Sequence, residues 1–174
     1  LAALHRLYEL VMAPLAHLLA AERLLLIPHG VLHQAPLHAL WTGHSFFLAD
    51  YECSYAPSAS LAVELLRKAE SPAAWQSWAG LGLDDPAIPG AQLEVKTAAA
   101  HFSQSQLYLG LAANLAALDS AAQEADILHL ATHGLFRPDN PFCSLLKLAD
   151  GWVDVNTIYR LKLAARLVVL SACE

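Results

Sequence analysis

Charged side chains are scarce in this sequence, and apolar residues are abundant. Charged residues make up 15% of its 174 residues, and apolar residues make up 56%. The ten lysines and arginines are scattered and are outnumbered by sixteen acidic residues, so no basic patch is present for a phosphate backbone. We therefore expect no nucleic-acid partner. The low charge also suggests that part of the apolar surface packs against another segment or a partner.

Cysteines and long apolar runs are also few. Cys53, Cys143 and Cys173 are odd in number and lack CxxC spacing, which argues against a disulfide framework or a zinc ribbon. Free thiols fit a reducing compartment, so we expect a cytoplasmic protein. No run of about 20 apolar residues and no secretory signal is present, so we expect no membrane contact.

Common signatures of phosphate, serine-hydrolase and zinc sites are missing. The sequence has no glycine-rich phosphate loop, no GxSxG or SxxK, and no HExxH. Four histidines do cluster, at His29, His33, His38 and His44, and a metal-dependent hydrolase is one interpretation of them. Prolines and glycines interrupt this stretch, and no acidic residue or cysteine lies between the histidines. A metal-free loop is therefore favoured, and we expect no metal or other cofactor.

Residues 1–70 are predicted to form a subdomain of helices and strands, followed by a linker at 71–76. Pro14 should kink the first helix, and Ser58 or Ser60 should cap the last one. The predicted elements are a helix at Leu1–Ala21, a strand at Arg23–Ile27, one or two strands within Phe46–Ala56, and a helix at Ala59–Lys68.

From residue 77 to residue 174, predicted strands alternate with predicted helices. The strands are Trp78–Leu83, Gln106–Leu109, Asp126–Ala131 and Arg166–Leu170, and the helices are Ala91–Phe102, Leu111–Gln123 and Val155–Leu161. Asp150-Gly151 is the turn signal of a hairpin. The alternation predicts an α/β fold with a mostly parallel sheet covered by helices on both faces. Such sheets bind ligands beyond the carboxyl ends of their strands.

Two of the predicted strands run into reactive side chains. The apolar run ending at Leu130 continues into Ala-Thr-His133-Gly134, and the run ending at Leu170 continues into Ser-Ala-Cys173. A cysteine peptidase needs a thiolate, an imidazole and N–H donors for the oxyanion. Gly134 and Cys173 could supply those donors, because Gly134 has no side chain to keep a substrate away. A buried structural cysteine is the alternative, and the residues alone leave it the more frequent case.

Other polar residues near these strand ends have simpler interpretations. His129 is a rival for the histidine role, but its place inside an apolar run favours a hydrogen-bonded core histidine. Asp84 and Asp85 end the first strand of the alternation at the same sheet edge, where they could hold a basic substrate side chain. A role in the turn itself is more frequent for such a pair. Cys53 and Cys143 have no His-Gly neighbour and are expected to be structural.

At these residues the sequence resembles the CHAT-domain family, caspase-like cysteine peptidases found mainly in bacteria and often fused to TPR repeats. The resemblance covers nearly the whole chain and is most specific in the paired HLATHG and LSAC blocks. The matching stretches are LLLIPHGVLHQAPLHAL (Leu24–Leu40), ADYECSYAPSASL (Ala49–Leu61), ILHLATHG (Ile127–Gly134), LADG (Leu148–Gly151) and LVVLSACE (Leu167–Glu174).

The resemblance implies hydrolysis of a protein or peptide substrate by a Cys-His dyad. It implies that His133 is the general acid/base, Gly134 an oxyanion donor, and Cys173 both the nucleophile and a second donor. It also implies that Asp84 and Asp85 lie in a loop that helps to form the substrate pocket.

The resemblance further implies a division of the chain and a missing part. Residues 1–70 would be the N-terminal subdomain of the CHAT domain, 71–76 the linker, and 77–174 a caspase-like larger-subunit core ending at the cysteine strand. Family members continue past the SACE block, so we expect a sheet that is incomplete at its C-terminal edge, a missing C-terminal half of the domain, and little peptidase activity of this chain alone. Upstream TPR repeats are an implied partner. A non-catalytic interaction module with a peptidase fold is the alternative function.

Overall fold

The computed structural model describes residues 1–69 and 75–173, and the chain divides into two compact units, Leu1–Pro72 and Ala73–Glu174. Within the linker expected at 71–76, residues 71–74 lie outside the described residues. None of the helices in the described part has the length and apolar character needed to cross a membrane.

The first unit combines helices with a two-stranded parallel sheet. Its elements are α1 (Ala2–Val11), β1 (Arg23–Leu26), α2 (Phe47–Asp50), β2 (Glu52–Tyr55) and α3 (Ala59–Ala69). After α1 the chain forms a 3₁₀ helix at Ala13–Leu18, because Pro14 has no N–H to continue the α-helical hydrogen bonds. The buried centre of the unit consists of Met12, Leu37, Leu40 and Phe47.

One predicted strand of this unit is partly a helix. The expectation of strands across Phe46–Ala56 is wrong for Phe47–Asp50, which forms α2. The Tyr51 N–H donates to the Phe47 carbonyl at 3.2 Å, and the helical turn that this bond closes brings the two aromatic rings within 4.7 Å. The predicted helix after it is confirmed with its cap, since the Ser58 hydroxyl accepts from the Leu61 N–H at 3.2 Å.

The four clustered histidines lie in the turns between β1 and α2. His38 is hydrogen-bonded to Tyr55. Its N–H donates to the Tyr55 hydroxyl at 2.9 Å, and its Nδ1 lies 2.8 Å from the same oxygen. His44 Nδ1 lies 3.3 Å from the Thr42 hydroxyl. Within residues 1–69 and 75–173, no three histidine, cysteine, aspartate or glutamate side chains come together as a possible metal site.

The second unit is a mixed sheet with helices on both faces. Its elements are β3 (Ser77–Gly82), α4 (Ala91–Ala99), β4 (Gln104–Leu109), α5 (Leu115–Glu124), β5 (Ile127–Leu135), β6 (Leu145–Leu148), β7 (Gly151–Asp154), α6 (Val155–Arg160) and β8 (Leu167–Cys173). β4, β3, β5 and β8 are parallel and adjacent in that order. The β6–β7 hairpin is antiparallel and pairs with the end of β5. The expected mostly parallel α/β fold is confirmed.

The strands that carry the reactive residues are longer than expected. β5 and β8 continue past their predicted ends, to Leu135 and Cys173 respectively. They remain paired with each other as far as His133 and Cys173. The predicted strand ends at Ala131 and Leu170 are therefore wrong, because His133 and Cys173 lie within the strands.

Two glycines of β3 let α4 lie directly on the sheet. A Cβ on Gly80 would lie 2.6 Å from Val95 of α4 and would also overlap the Trp78 ring. A Cβ on Gly82 would lie 3.2 Å from the Gln92 Cα. Real Cβ atoms essentially never lie as close to other atoms as the contacts at Gly80, and few lie as close as the contact at Gly82, so larger residues in β3 would push α4 away from the sheet.

On the other face of the sheet, small residues let α5 pack closely against the strands. α5 buries Ala117, Leu118, Ala121 and Ala122 against the apolar residues of β3 and β5. The helix begins at Asn114, whose side chain accepts from the Ala117 N–H at 3.0 Å. The buried alanines of α5 therefore allow this helix to pack closely on the sheet.

Gly80→Ala should destabilise the second unit, because the new methyl group has no space between α4 and β3. We expect a loss of about 1–3 kcal/mol of unfolding free energy, the usual cost of overpacking a core. Urea unfolding measures this loss. Gly90→Ala is the matched control, since a Cβ there meets nothing within 4 Å; equal losses in the two variants would refute the close-packing argument.

Asp126 joins the start of β3 to the start of β5. Its Oδ2 accepts from the Ser77 N–H at 3.0 Å, the Gln76 N–H at 2.9 Å and the Ser77 hydroxyl at 3.1 Å. The backbone hydrogen bond from Ser77, then that from Gln76, holds the pKa of the Asp126 carboxyl below its ordinary value. The bonds favour the ionised form, so the stability that they add is present at neutral pH and is lost as the pH falls through the folded-state pKa.

Asp126→Asn should therefore lower the Tm of the protein more at about pH 7 than at an acidic pH below the ordinary range of an aspartate carboxyl, because the stability that the ionised carboxylate adds is lost as the pH falls through its lowered folded-state pKa. Thermal unfolding followed by circular dichroism at both pH values tests this. Asp119→Asn serves as the control, because Asp119 is an exposed residue of α5 whose carboxylate has no hydrogen bond among the described residues. A Tm difference that does not depend on pH would contradict the ionic origin of the effect.

Candidate active site

β5 and β8 bring His133 and Cys173 side by side. The strands are parallel neighbours, and their register runs from Ile127 opposite Leu167 to His133 opposite Cys173. Adjacent strands lie about 4.8 Å apart, so two residues that are distant in the chain become neighbours in the sheet. They occupy the carboxyl ends of both strands, which is the edge at which parallel α/β sheets bind ligands.

Asp85 lies against the His133 ring. Its Oδ2 is 3.4 Å from the His133 Nε2, and both side chains are partly buried. Its other oxygen, Oδ1, accepts from the Ala87 N–H at 2.9 Å, so the carboxylate is held by its own loop. The loop follows β3, the strand next to β5, which explains the proximity. The sequence placed Asp85 at this edge but offered no signal for its pairing with His133.

Asp84 has a different setting from its neighbour. It is exposed, and it forms no hydrogen bond or ion pair with any residue that the structure describes. It lines two cavities of about 260 and 200 Å³, which Asp85 also lines. Lys96 lines the first cavity and Lys147 the second. Asp84 is therefore the carboxylate of the pair that remains available to a cationic group from outside.

Gly134 follows His133 and begins the pairing of β5 with β6, where it lies opposite Leu146. A Cβ on Gly134 would meet Ala172 at 3.5 Å, which is an ordinary van der Waals distance. Packing within the unit therefore does not by itself demand glycine at this position. The backbone N–H of Gly134 remains the candidate donor to the oxyanion at this point of the sheet.

Thr132 ties β5 to the hairpin. Its buried hydroxyl donates to the Lys147 carbonyl of β6. Beside this junction lies an apolar cavity of about 320 Å³, and its lining includes Gly134, Phe136, Leu146 and Leu170. Thr132 was not among the predicted site residues, although its position between His129 and His133 was a possible signal.

His129 is a core histidine, as expected. It is buried, its Nε2 lies 2.8 Å from the Glu94 Oε1, and its ring contacts the Trp78 ring edge to face at 5.8 Å. It precedes His133 by four residues, or about 13 Å along the strand. His129 is therefore too far along β5 to act beside Cys173.

The other two cysteines belong to different elements, Cys53 to β2 of the first unit and Cys143 to the turn before β6 of the second. Burial raises the pKa of the Cys53 thiol, which favours its protonated, unreactive form. Cys143 is exposed and lies in the turn before β6. Neither is paired with a histidine in the described part of the chain, and a structural role stays the expectation for both.

Comparison with known proteins supports one family. The family model of the CHAT domain matches residues 1–174, which includes both compact units. No curated protein matches the sequence. Because the family model spans all 174 residues, this chain belongs to the CHAT-domain family of caspase-like peptidases.

Proposed function

We propose that this chain carries the nucleophile and the general acid/base of a cysteine endopeptidase, Cys173 and His133. The observation that carries the proposal is the register of β5 and β8, in which these two residues are opposite each other at the carboxyl ends of the strands. Membership of a family of caspase-like peptidases adds to it. The substrate class is a protein or a peptide.

The proposed reaction proceeds in two halves. The Cys173 thiol gives its proton to His133, and the thiolate attacks the peptide carbonyl, forming a C–S bond. The N–H groups of Gly134 and Cys173 stabilise the oxyanion. The C–N bond then breaks, and His133 protonates the leaving amine. Water, deprotonated by His133, hydrolyses the acyl-enzyme and releases the acid and the free thiol.

Asp85 is proposed to position the His133 ring rather than to touch the substrate. A carboxylate only accepts hydrogen bonds, so it favours the orientation in which the Nε2 of His133 carries a proton towards it. The imidazole then turns its other nitrogen away from Asp85. Asp84 is the better candidate for the substrate pocket, because its charge has no partner among the described residues.

Residues 77–174 would form the catalytic core, with 1–70 as an accessory subdomain of the CHAT domain and 71–76 as the linker. The free thiols would persist in a reducing cytoplasm. Adjoining TPR repeats would be the regulatory partner.

A non-catalytic interaction module is the second candidate function. The apolar cavity near Gly134 favours it, together with Phe136 and Phe142, which are exposed in the segment between β5 and β6. A peptidase fold with such a surface could bind an apolar peptide segment without cleaving it. Reactivity of Cys173 distinguishes the two functions.

Cys173→Ala and His133→Ala should each abolish peptide hydrolysis by the full-length protein. General acid–base and nucleophilic groups typically raise the reaction rate at least about 100-fold. The rate of peptide hydrolysis should therefore fall by that factor or more relative to the wild type. The measurement is turnover of a panel of fluorogenic peptides, with Cys143→Ala as the control for loss of a thiol. If Cys173 of the wild type is alkylated by iodoacetamide no faster than Cys53 and Cys143, the interaction module is the correct function.

Asp84→Asn and Asp85→Asn should have different kinetic effects, although the residues are adjacent. Asp85→Asn weakens the orientation of His133, so kcat should fall about 10- to 100-fold with little change in KM. Asp84→Asn should instead raise KM for peptides with arginine or lysine before the cleaved bond, with kcat retained. Steady-state kinetics on such peptides and on neutral analogues separate the two effects. Identical behaviour of the two variants would remove the proposed division of roles.

A further inference from the structure

A second carboxylate links the two strands of the candidate site at a point before their ends. Glu94 of α4 lies with its Oε1 2.8 Å from the His129 Nε2 of β5, and its Oε2 accepts from the Ser171 hydroxyl of β8 at 3.0 Å. Because a carboxylate only accepts, the Nε2 of His129 is the donor in the first bond. One side chain therefore joins a helix to two adjacent strands.

The helix that carries Glu94 is itself firmly placed. Gly80 and Gly82 allow α4 to lie close to β3, and Val95, the residue after Glu94, is completely buried. The His129 ring is likewise fixed, because it is buried and contacts the Trp78 ring. Glu94 thus connects a rigid part of the unit to β8.

Apart from its pairing with β5 and the hydrogen bond to Glu94, few contacts within the described part of the chain hold β8 in place. Among the described residues it pairs with β5 alone, and its apolar residues Leu167, Val168 and Leu170 are 40%, 40% and 56% exposed. Ser171, the residue that Glu94 holds, precedes Cys173 by two positions on the same strand. A tether at Ser171 therefore acts close to the residue whose position matters most.

We propose that Glu94 is a positioning residue, which ties β8 to α4 and β5 and so keeps Cys173 at the distance from His133 that proton transfer requires. This inference rests on the proposed function of the His133–Cys173 pair. Glu94 acts through Ser171 and His129 and does not touch the substrate. Glu94 keeps Cys173 in position because its two hydrogen bonds bridge α4, β5 and β8. Its negative charge is not needed for this role.

Substitutions of Glu94 test the proposal in the full-length protein. Glu94→Ala removes both bonds and should lower kcat about 10- to 100-fold at nearly constant KM, the cost of misplacing a reacting group by about 1 Å. Glu94→Gln should retain most of the wild-type kcat, because its amide oxygen can accept from His129 while its NH₂ group donates to the Ser171 hydroxyl. Rescue by glutamine separates the span of the side chain from its charge.

Three further variants show whether the effect on kcat arises from the bond between Glu94 and Ser171. Ser171→Ala should lower kcat in the same direction, and the double variant with Glu94→Ala should be no worse than Glu94→Ala alone, since both changes break one link. Glu124→Ala is the matched control. Glu124 is also a helix glutamate with two partners, Ser120 at 3.3 Å and Gln106 at 3.5 Å, but neither partner lies on β5 or β8. Its kcat should equal that of the wild type.

Hydrogen exchange of the β8 amides supplies a readout that needs no catalysis. Glu94→Ala should speed exchange in β8 about tenfold or more relative to β4, whereas Glu124→Ala should not. Unchanged kcat and unchanged β8 exchange in Glu94→Ala overturn the tether. A kcat that falls in Glu94→Ala without rescue in Glu94→Gln also overturns it, because charge would then be the cause.

Failure of the proposed function has a different signature. If turnover of the fluorogenic peptides persists in Cys173→Ala, or if the wild type shows none, the peptidase proposal fails. Exchange in β8 then still decides whether Glu94 holds this strand, and a normal rate in Glu94→Ala excludes it. If Cys173 is required for turnover but the Glu94 variants behave like the wild type, the peptidase proposal stands and the tether does not.

Discussion

The parallel pairing of β5 with β8 is the constraint on which the rest of the second unit depends. It sets which residue of one strand lies beside which residue of the other, and a shift by one position would move every side chain of β8 to the opposite face of the sheet. The observed register ends with His133 opposite Cys173. Helices, glycines and polar links can all be understood by how they preserve that alignment.

Close packing on both faces of the sheet preserves the register of β5 with β8. Glycines in β3 admit α4 on one side, and the small residues of α5 allow a tight fit on the other. Caps fix where the helices begin: Asn114 caps α5, and Asp154 accepts from the Thr157 N–H at 2.8 Å at the start of α6. With so little free volume, a strand cannot slide without breaking contacts on both faces.

Acidic side chains are the exceptions on this otherwise apolar framework, and two of them pair with histidines of the same strand. Glu94 holds His129 in the core, and Asp85 lies beside His133 at the edge. The two histidines differ by four positions, so by the alternation of a strand they lie on one face of the sheet. Burial separates their roles, because the inner pair is part of the packing and the outer pair faces the edge where a substrate could enter.

Local patterns in the sequence determined the succession of strands and helices, the Ser58 cap and the turn at Asp150-Gly151, because each depends on a few neighbouring residues. The His133 and Cys173 candidates came from short motifs for the same reason. The helix at Phe47–Asp50 escaped prediction, since packing of the Phe47 ring decided it. Only the tertiary structure decided the register of β5 with β8, the pairing of Asp85 with His133 and the bridge made by Glu94, because these contacts join residues that are far apart in the chain and whose spacing no local pattern records.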